Sequence, residues 1–233
     1  MNKIYITGDI HGNIDYDKIS ENNWKEQKKL TKDDYLIICG DFGFIWEDTE
    51  DRAEKYWLNT INDKNFTTLI VDGNHENHKA LNTNYPVKEW NGGLIHEIRP
   101  SVLHLMRGQV YKINGKTFFT MGGASSFDKY RRTENISWWK EEIPSQEEYN
   151  TALDNLEKYD YKVDYVLTHC CGTRVMNRIN PYYEKDVLTN FFDFLEDKCN
   201  FKFKHWYFGH YHVDIDIDKR YHGLYKRIIE LDE

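Results

Sequence analysis

The sequence predicts an α/β fold, in which helices cover a layer of buried strands beside a second, more antiparallel sheet. The first observation is a set of five short apolar runs, each ending at a glycine or a polar cluster: 4–6, 36–39, 68–71, 165–167 and 205–208. Strands that are buried on both faces have this nearly continuous apolar character. The other two observations are amphipathic helical patterns between the runs and two segments typical of antiparallel strands.

Three segments between these runs place their apolar residues on one face of a helix. They are 50–61, 146–159 and 186–198. Ser145 and Glu148 form the sequence pattern of a capping box in front of the second helix. In a capping box the serine bonds the backbone of the first turn and the glutamate bonds back, which favours a helix start at this point.

Antiparallel strands are predicted in two places. Residues 109–121 indicate a hairpin that turns at Asn114 and Gly115, since Asn-Gly is a preferred pair in a type I′ turn. Residues 213–217, VDIDI, alternate apolar and acidic side chains. Together with 224–229 they predict a pair of C-terminal strands.

Residues 122–145 fit neither a helix nor a strand pattern. This segment is long, aromatic and charged, which is typical of an insertion that covers or shapes a site. No internal repeat, low-complexity segment or Pro/Gly/Ser linker interrupts the 233 residues. We therefore expect a single domain spanning 1–233, with 122–145 as a cap-like insertion over the active site.

The composition excludes some classes of partner. The net charge of −8, from 31 basic and 39 acidic residues, weighs against binding to long duplex nucleic acid or anionic membranes. The four cysteines match neither a disulfide framework nor a zinc pattern. No apolar run reaches transmembrane length, and the N-terminus lacks the pattern of a signal peptide. We therefore expect a cytoplasmic protein without a membrane partner.

Polar side chains follow all five apolar runs, at the points where the predicted strands end. They are Asp9 and His11, Asp41, Asn74 and His75, His169, and His210 and His212. Each of them alone is also typical of a turn or a solvated loop. Because the carboxyl ends of parallel strands share one edge of a sheet, the five segments together predict one site there.

The composition of this set favours a pair of divalent metal ions. Carboxylate, imidazole and amide groups suit manganese, iron, zinc, nickel or magnesium rather than a metal that prefers thiolates. Two such ions carry four positive charges, while Asp9, Asp41 and a bridging hydroxide return three negative ones. The centre would keep a positive charge that attracts a phosphate ester, and its ions would make hydroxide available near neutral pH.

The ordered motifs Asp-x-His, Gly-Asp, Gly-Asn-His-Glu, His and Gly-His-x-His lie between residues 9 and 212. In this order they resemble the calcineurin-like metallophosphoesterase superfamily. The resemblance implies a two-sheet β-sandwich flanked by helices, a four-layer architecture with a dinuclear metal centre in its loops. It also implies hydrolysis of phosphate mono- or diesters by attack of a hydroxide that bridges the two ions, with manganese as the expected metal.

The resemblance also implies a role for each matching residue. One ion would be held by Asp9, His11, Asp41 and His212, and the other by Asp41, Asn74, His169 and His210. Asp41 would bridge the two ions and so take part in catalysis. His75 would stay off the metals and donate a proton or a hydrogen bond to the substrate, while Glu76 would orient His75 or cap the following helix.

One departure from the family pattern bears on the substrate. Protein Ser/Thr phosphatases of this superfamily continue the second motif as Gly-Asp-x-x-Asp-Arg-Gly, whereas residues 40–46 here read GDFGFIW. The phosphate-binding arginine of that motif is missing, which weighs against a protein phosphatase. Candidate replacements are Arg99, Arg107, Arg131 and Arg132, and an ordinary salt bridge is the alternative for each of them.

The expected substrate is a phosphorylated small molecule or a nucleotide, because cations and aromatic rings occur together in 122–145. The alternatives are a nuclease acting on short or single-stranded nucleic acid, a protein phosphatase, and a non-catalytic interaction module on the same fold. Five other histidines match no motif, and core or surface positions are expected for them: His78, His96, His104, His205 and His222.

Overall fold

A computed structural model describes residues 2–231 of the chain. Its strands are β1 (Ile4–Thr7), β2 (Tyr35–Cys39), β3 (Thr67–Val71), β4 (Val87–Trp90), β5 (Gly93–Arg99), β6 (Val102–Leu105), β7 (Gln109–Ile113), β8 (Lys116–Met121), β9 (Tyr165–Thr168), β10 (His205–Phe208), β11 (Ile215–Ile217), β12 (Tyr221–Gly223) and β13 (Ile229–Glu230). Its α-helices are α1 (Arg52–Asn62), α2 (His78–Thr83), α3 (Gln146–Glu157), α4 (Thr173–Ile179) and α5 (Val187–Lys198). Short 3₁₀ helices lie at Tyr16–Ile19, Lys25–Lys29, Lys129–Arg131 and Lys140–Glu142. Within 2–231, no helix combines the length and the apolar character that a membrane span needs.

The strands form two mixed sheets. The first has the order β13-β1-β2-β3-β6-β5-β4, and β1, β2, β3 and β6 are parallel to one another. The second has the order β11-β12-β10-β9-β8-β7, and β12, β10, β9 and β8 are parallel. Each sheet therefore brings the carboxyl ends of several strands to one edge.

Three buried cores show how the layers are stacked. Ile37 of β2 and Leu167 of β9 share the core between the two sheets. Side chains alternate between the faces of a strand, so Leu36 of β2 points the other way, into a second core with α1. Val166 of β9 lies in a third core with α3, α4 and α5. The order helix, sheet, sheet, helix confirms the predicted two-sheet sandwich flanked by helices.

Most of the predicted elements are confirmed. All five apolar runs are strands, and the three predicted helices correspond to α1, α3 and α5. Ser145 and Glu148 form the capping box at the start of α3. Strands β7 and β8 form the predicted hairpin, and φ is positive at both Asn114 (51°) and Gly115 (74°), as a type I′ turn requires.

The prediction that the second sheet is the more antiparallel one is wrong. Strands β9 and β10 do not extend the first sheet but pair parallel with β8 and β12 in the second. The chain passes from β8 to β9 through 122–145 and α3. A connection of this length allows a parallel pairing, which a tight hairpin would not.

The predicted pairing of 213–217 with 224–229 is also wrong. Strand β11 pairs with β12 instead, because the chain already reverses at Asp218 and Lys219, where φ is 51° and 60°. Beyond β12 the chain crosses to the first sheet, and β13 pairs antiparallel with β1. The chain therefore crosses between the sheets within a few residues of its C-terminal end.

Residues 122–145 are anchored to the body of the fold by a buried tryptophan. Trp139 is 1% exposed, and its ring contacts that of Trp46 edge-on, with 5.1 Å between the ring centroids. Such an aromatic contact fixes the position of a segment that has little regular structure.

A buried glutamate fastens the loops that follow β2 and β3. The Glu76 carboxylate accepts hydrogen bonds from the backbone N–H groups of Phe42 (2.5 Å), Gly43 (3.3 Å) and Gly73 (2.8 Å). The helix that follows is capped by the Asn77 side chain, which accepts from the backbone of its first turn. These contacts correct both roles expected for Glu76, because its carboxylate holds two loops and neither caps α2 nor orients a neighbouring ring.

We predict that Glu76→Ala lowers the free energy of unfolding by about 3 kcal/mol or more. A buried N–H group left without an acceptor costs roughly 1–3 kcal/mol, and this substitution leaves several. Urea denaturation followed by circular dichroism measures the change. The matched control is Glu89→Ala, which removes an exposed carboxylate from β4 and should change stability by less than about 0.5 kcal/mol. Equal stability of Glu76→Ala and the wild type would contradict this role of the carboxylate.

Candidate metal centre

The loops that follow β1, β2 and β3 of the first sheet converge with those that follow β9 and β10 of the second. Backbone hydrogen bonds join neighbouring loops, from the Ile10 N–H to the Asp41 carbonyl and from the Gly209 N–H to the His169 carbonyl. The His169 ring then links the two sheets, since its Nδ1–H donates to the Cys39 carbonyl at 3.0 Å. The polar residues that follow the five predicted strands are thus brought to one place by both sheets.

Four side chains form a compact group of possible metal ligands. They are Asp9, His11, Asp41 and His212, and their ligand atoms all lie within 4.8 Å of one another. His11 Nε2 is 3.1 Å from Asp41 Oδ2. Asp9 is fully buried, and its Oδ2 has no hydrogen-bond partner among residues 2–231. A buried carboxylate oxygen without a donor is costly, so the donor set fits a metal ion that would satisfy it.

Three further side chains form a second group, which reaches the other carboxylate oxygen of Asp41 through His169. His169 Nε2 lies 3.2 Å from Asp41 Oδ1 and 3.1 Å from Asn74 Oδ1. His210 Nδ1 lies 3.0 Å from the same Asn74 oxygen. In the neutral His169 ring Nδ1 carries the proton, so Nε2 presents a lone pair, as the two oxygens do. This convergence of electron-pair donors fits a divalent cation.

The buried carboxylates of Asp9 and Asp41 favour a positive charge beside them. Burial raises the pKa of Asp9, whereas His169 and His11 outweigh the burial of Asp41 and hold its pKa well below the usual range. Burial favours neutral rings, yet Asp41 raises the pKa of His11 to about 9 and that of His169 to about 10. Burial, followed by the charge of His169, lowers the pKa of His210 to about 3, so that ring stays neutral. A divalent cation would neutralise the two carboxylates more fully than protons on the histidine rings do.

Four of the candidate ligands have a left-handed backbone conformation. The φ angle is 49° at His11, 48° at Asp41, 67° at His210 and 51° at His212. Residues other than glycine rarely adopt this region, and strained residues cluster at functional sites. Gly73 is required for a different reason, because a Cβ there would lie 2.1 Å from Asp41 Oδ1. The loops are therefore shaped to aim these side chains at one point.

The structure adds supporting residues that the motifs do not reveal. Asp15 Oδ2 lies 2.8 Å from Nδ1 of His11 and so directs Nε2 of that ring toward the cluster. Partners of metal-bound histidines commonly act in this way. The Tyr225 ring stacks on His212, with 4.6 Å between the ring centroids. The four-residue spacing of His11 and Asp15 is the signal in the sequence that points to their pairing.

A hydrogen-bond chain from segment 122–145 holds the amide of Asn74. Asn74 Nδ2 donates to Ser126 Oγ at 3.1 Å, and Ser126 Oγ donates to Glu142 Oε2 at 2.5 Å. All three side chains are buried. Because the amide nitrogen faces Ser126, the amide oxygen faces His169 and His210. The chain fixes which end of the amide points into the cluster.

His75 lies beside the two groups of candidate ligands. Its backbone N–H donates to Asp41 Oδ1 at 2.9 Å, and its ring centroid is 5.5 Å from that of His11. Nη1 of Arg132 lies 3.4 Å from His75 Nδ1, and Nε of Arg132 donates to Asp128 at 2.8 Å. The Arg132 guanidinium and the His75 imidazole therefore lie side by side next to the candidate metal ligands.

The other three candidate arginines are engaged elsewhere. Arg99 forms an ion pair with Glu50, and the buried Arg107 donates to Asp72 through two of its nitrogens. Arg131 lies over a neighbouring tyrosine ring. For Arg99 and Arg107 these contacts favour the alternative of a salt bridge over a contact with substrate.

The histidines outside the motifs have the expected core and surface positions. His78, His96 and His104 are buried. His104 joins His96 Nδ1 (2.9 Å) to the Asp72 carboxylate (3.1 Å), in the polar network that also holds Arg107. His205 and His222 bond each other, with 2.9 Å between their ring nitrogens, at partly exposed positions of the second sheet.

Comparisons with known proteins identify the family. A family model described as calcineurin-like phosphoesterase matches residues 2–214. One similar solved structure is that of phosphopantetheinyl hydrolase from Mycobacterium tuberculosis, at 15% identity and a TM-score of 0.46, covering 97% of this chain and 90% of that chain. No curated protein matches the sequence significantly. Since the family model spans nearly the whole chain, the protein belongs to the calcineurin-like phosphoesterase family.

Proposed function

We propose that the protein hydrolyses phosphate mono- or diesters of small or nucleotide-like molecules with the help of two divalent metal ions. The observation that carries this proposal is the position of Asp41 between two groups of candidate ligands. Its Oδ2 faces His11, and its Oδ1 faces His169. Two-metal hydrolases bind the attacking and leaving oxygens of a phosphoryl group between two ions. Membership of the phosphoesterase family supports this reaction class.

The proposed ligand sets follow the two groups. One ion would be held by Asp9, His11, Asp41 and His212, and the other by Asp41, Asn74, His169 and His210. When bound, the ions, for which we propose manganese, would supply a nucleophilic hydroxide near neutral pH and stabilise the charge that develops on the phosphate. The unpartnered Oδ2 of Asp9 and the fixed amide of Asn74 support this assignment. Asn74 adds a neutral oxygen, so the site keeps a positive charge that an aspartate would cancel.

The proposed role of His75 is to donate a proton or a hydrogen bond to the leaving oxygen of the substrate. Its position beside the candidate ligands supports this role. A guanidinium group only donates, so the nearby Arg132 favours the neutral ring whose Nδ1 accepts and whose Nε2 carries the proton. The Nε2–H of this neutral ring, directed away from Arg132, can donate a hydrogen bond to the leaving oxygen, whereas transfer of a proton would need the imidazolium form.

Arg132 is our candidate for the cation that replaces the phosphate-binding arginine of the protein phosphatases. It comes from segment 122–145, which also supplies Ser126 to the amide of Asn74. These two contacts support the role of 122–145 as a cap over the active site. All four cysteines are free, and three of them are buried, which supports a reducing compartment such as the cytoplasm.

We predict that the manganese-loaded protein hydrolyses 4-nitrophenyl mono- or diesters and loses this activity on chelation. His75→Ala should retain its metal, measured by elemental analysis, while kcat falls by about 10²–10⁴-fold, the range for a lost hydrogen-bond donor or general acid at the reacting group. His222→Ala, a histidine in the second sheet outside the cluster, is the control and should keep full activity. Full turnover by His75→Ala would exclude the catalytic role. Metal binding without hydrolysis of any ester, tested with manganese, nickel, zinc and magnesium, would favour a non-catalytic module.

For Arg132→Ala we expect kcat/KM for these esters to fall by about 10²-fold, as when a donor to the phosphoryl oxygens is removed. The adjacent Arg131→Ala is a matched control, because it removes the same charge from a side chain that lies over Tyr130. Steady-state kinetics at low salt compare the two variants. Equal losses in both would indicate a general charge effect instead of a specific contact.

Ser126→Ala should weaken manganese binding by about 10–100-fold, because the amide of Asn74 loses the partner that orients it. Isothermal titration calorimetry of the metal-free chain measures this affinity without reference to activity. Glu142→Gln should lower the affinity for manganese by a smaller factor, and Ser125→Ala, at the neighbouring position, should leave it unchanged. Unchanged affinity in Ser126→Ala would rule out an effect of the hydrogen-bond chain on the metal.

A further inference from the structure

A pocket of about 480 Å³ adjoins the candidate metal centre at His210. Part of its wall comes from segment 122–145, with Phe127 and Lys129, and part from the α4–α5 connection, with Tyr182 and Tyr183. Pockets of roughly 300–1,000 Å³ hold small organic ligands. The size suits the organic part of a substrate whose phosphate lies at the metal centre.

A series of ring contacts connects this pocket to the candidate metal centre. The ring of Tyr183 lies 5.3 Å from that of Tyr211, and the ring of Tyr211 lies 5.0 Å from that of His210. Phe127 and Tyr182 also line the pocket, and they are 85% and 91% exposed. Rings that are left in water around a concave pocket offer flat apolar surface, which a planar ligand would cover.

The charges of the lining restrict the ligand further. Lys129 is outnumbered by Glu184 and Asp186, so the three together carry one net negative charge. A polyanionic group would be repelled here, whereas a neutral group would not. Ser125 and Asn180 add a hydroxyl and an amide to the lining, and these groups can bond the polar edges of a heterocycle. A neutral, planar group with polar edges matches all of these features.

We propose that this pocket binds the nucleoside of a phosphate ester, with the base against the rings of Phe127 and Tyr182 and the phosphate at the metal centre. The position of the phosphate rests on the proposed function, whereas the nucleoside site rests on its own lining. Stacking on aromatic rings tolerates every base, because each base has a flat face. The pocket therefore selects a nucleoside over an alkyl group, with little preference among the bases.

The first experiment compares two diesters with the manganese-loaded full chain: thymidine 5′-(4-nitrophenyl phosphate) and methyl 4-nitrophenyl phosphate. Both release 4-nitrophenolate, so they differ in the group that the pocket would bind. We expect a KM at least about tenfold lower for the thymidine ester, the effect of one stacked base. Equal KM values for the two esters would overturn the proposal.

The second experiment removes the rings. Phe127→Ala and Tyr182→Ala should each raise KM for the thymidine ester by about tenfold. The kcat for this ester and the KM for the methyl ester should stay unchanged. Both side chains are largely exposed, so the variants should fold. The control is Tyr56→Ala, which removes a ring that is 63% exposed on α1 and lies outside the pocket. Unchanged KM in both pocket variants would overturn the proposal.

A binding measurement separates this inference from the proposed function. Saturation-transfer NMR with thymidine and the metal-free chain should show binding to the wild type and to Tyr56→Ala, and weaker binding to Tyr182→Ala. No thymidine binding, together with normal hydrolysis of the methyl ester, would refute the pocket and leave the proposed function intact. Failure to hydrolyse these two diesters and 4-nitrophenyl phosphate would refute the proposed function, and thymidine binding would then decide the pocket alone.

Discussion

The buried carboxylate of Asp41 is the interaction on which the rest of the site depends. Its Oδ1 accepts hydrogen bonds from the backbone N–H groups of Asn74 and His75, and its Oδ2 faces His11. Its own carbonyl accepts the backbone N–H of His11, and His169 reaches it from the second sheet. One residue thus joins the loops after β1, β2 and β3 to the opposite sheet. A buried negative charge is tolerated only beside positive charge, so the convergence of these loops also creates the demand for a cation.

The strands and the candidate ligands could be predicted because each follows from a local pattern, an apolar run that ends at a glycine or a polar cluster. Sheet membership could not, because β9 is equally apolar whether it pairs with β8 or with the first sheet. The partners of Glu76 and Ser126 escaped prediction for a related reason. A carboxylate or a hydroxyl bonds whichever donor or acceptor the folded loops bring near, and local sequence does not encode that choice.

Charge is distributed unevenly over a chain that is acidic as a whole, with a net charge of −8. The proposed centre would be positive once loaded, while the charged side chains of the adjoining pocket, Lys129, Glu184 and Asp186, sum to a negative value. A phosphate ester with a neutral organic group fits both regions at once, whereas a polyphosphate or an acidic peptide fits only the first. The net negative charge of the chain weighs against long nucleic acids, whose repeated phosphates would meet repulsion beyond the site.

In the proposed function, segment 122–145 would connect metal binding to substrate recognition. Ser126 holds the amide of Asn74, and Arg132 stands against His75, the next residue along the chain. Phe127 and Lys129, which line the pocket, lie between these two anchors. Substitutions between the anchors can therefore change which organic group is bound while the candidate ligands keep their positions. Loss of the Ser126 hydroxyl, in contrast, frees the amide of Asn74, while the Ser126 backbone N–H still donates to Glu142 Oε1 at 2.9 Å. Affinity for the metal should therefore change more than affinity for the organic group.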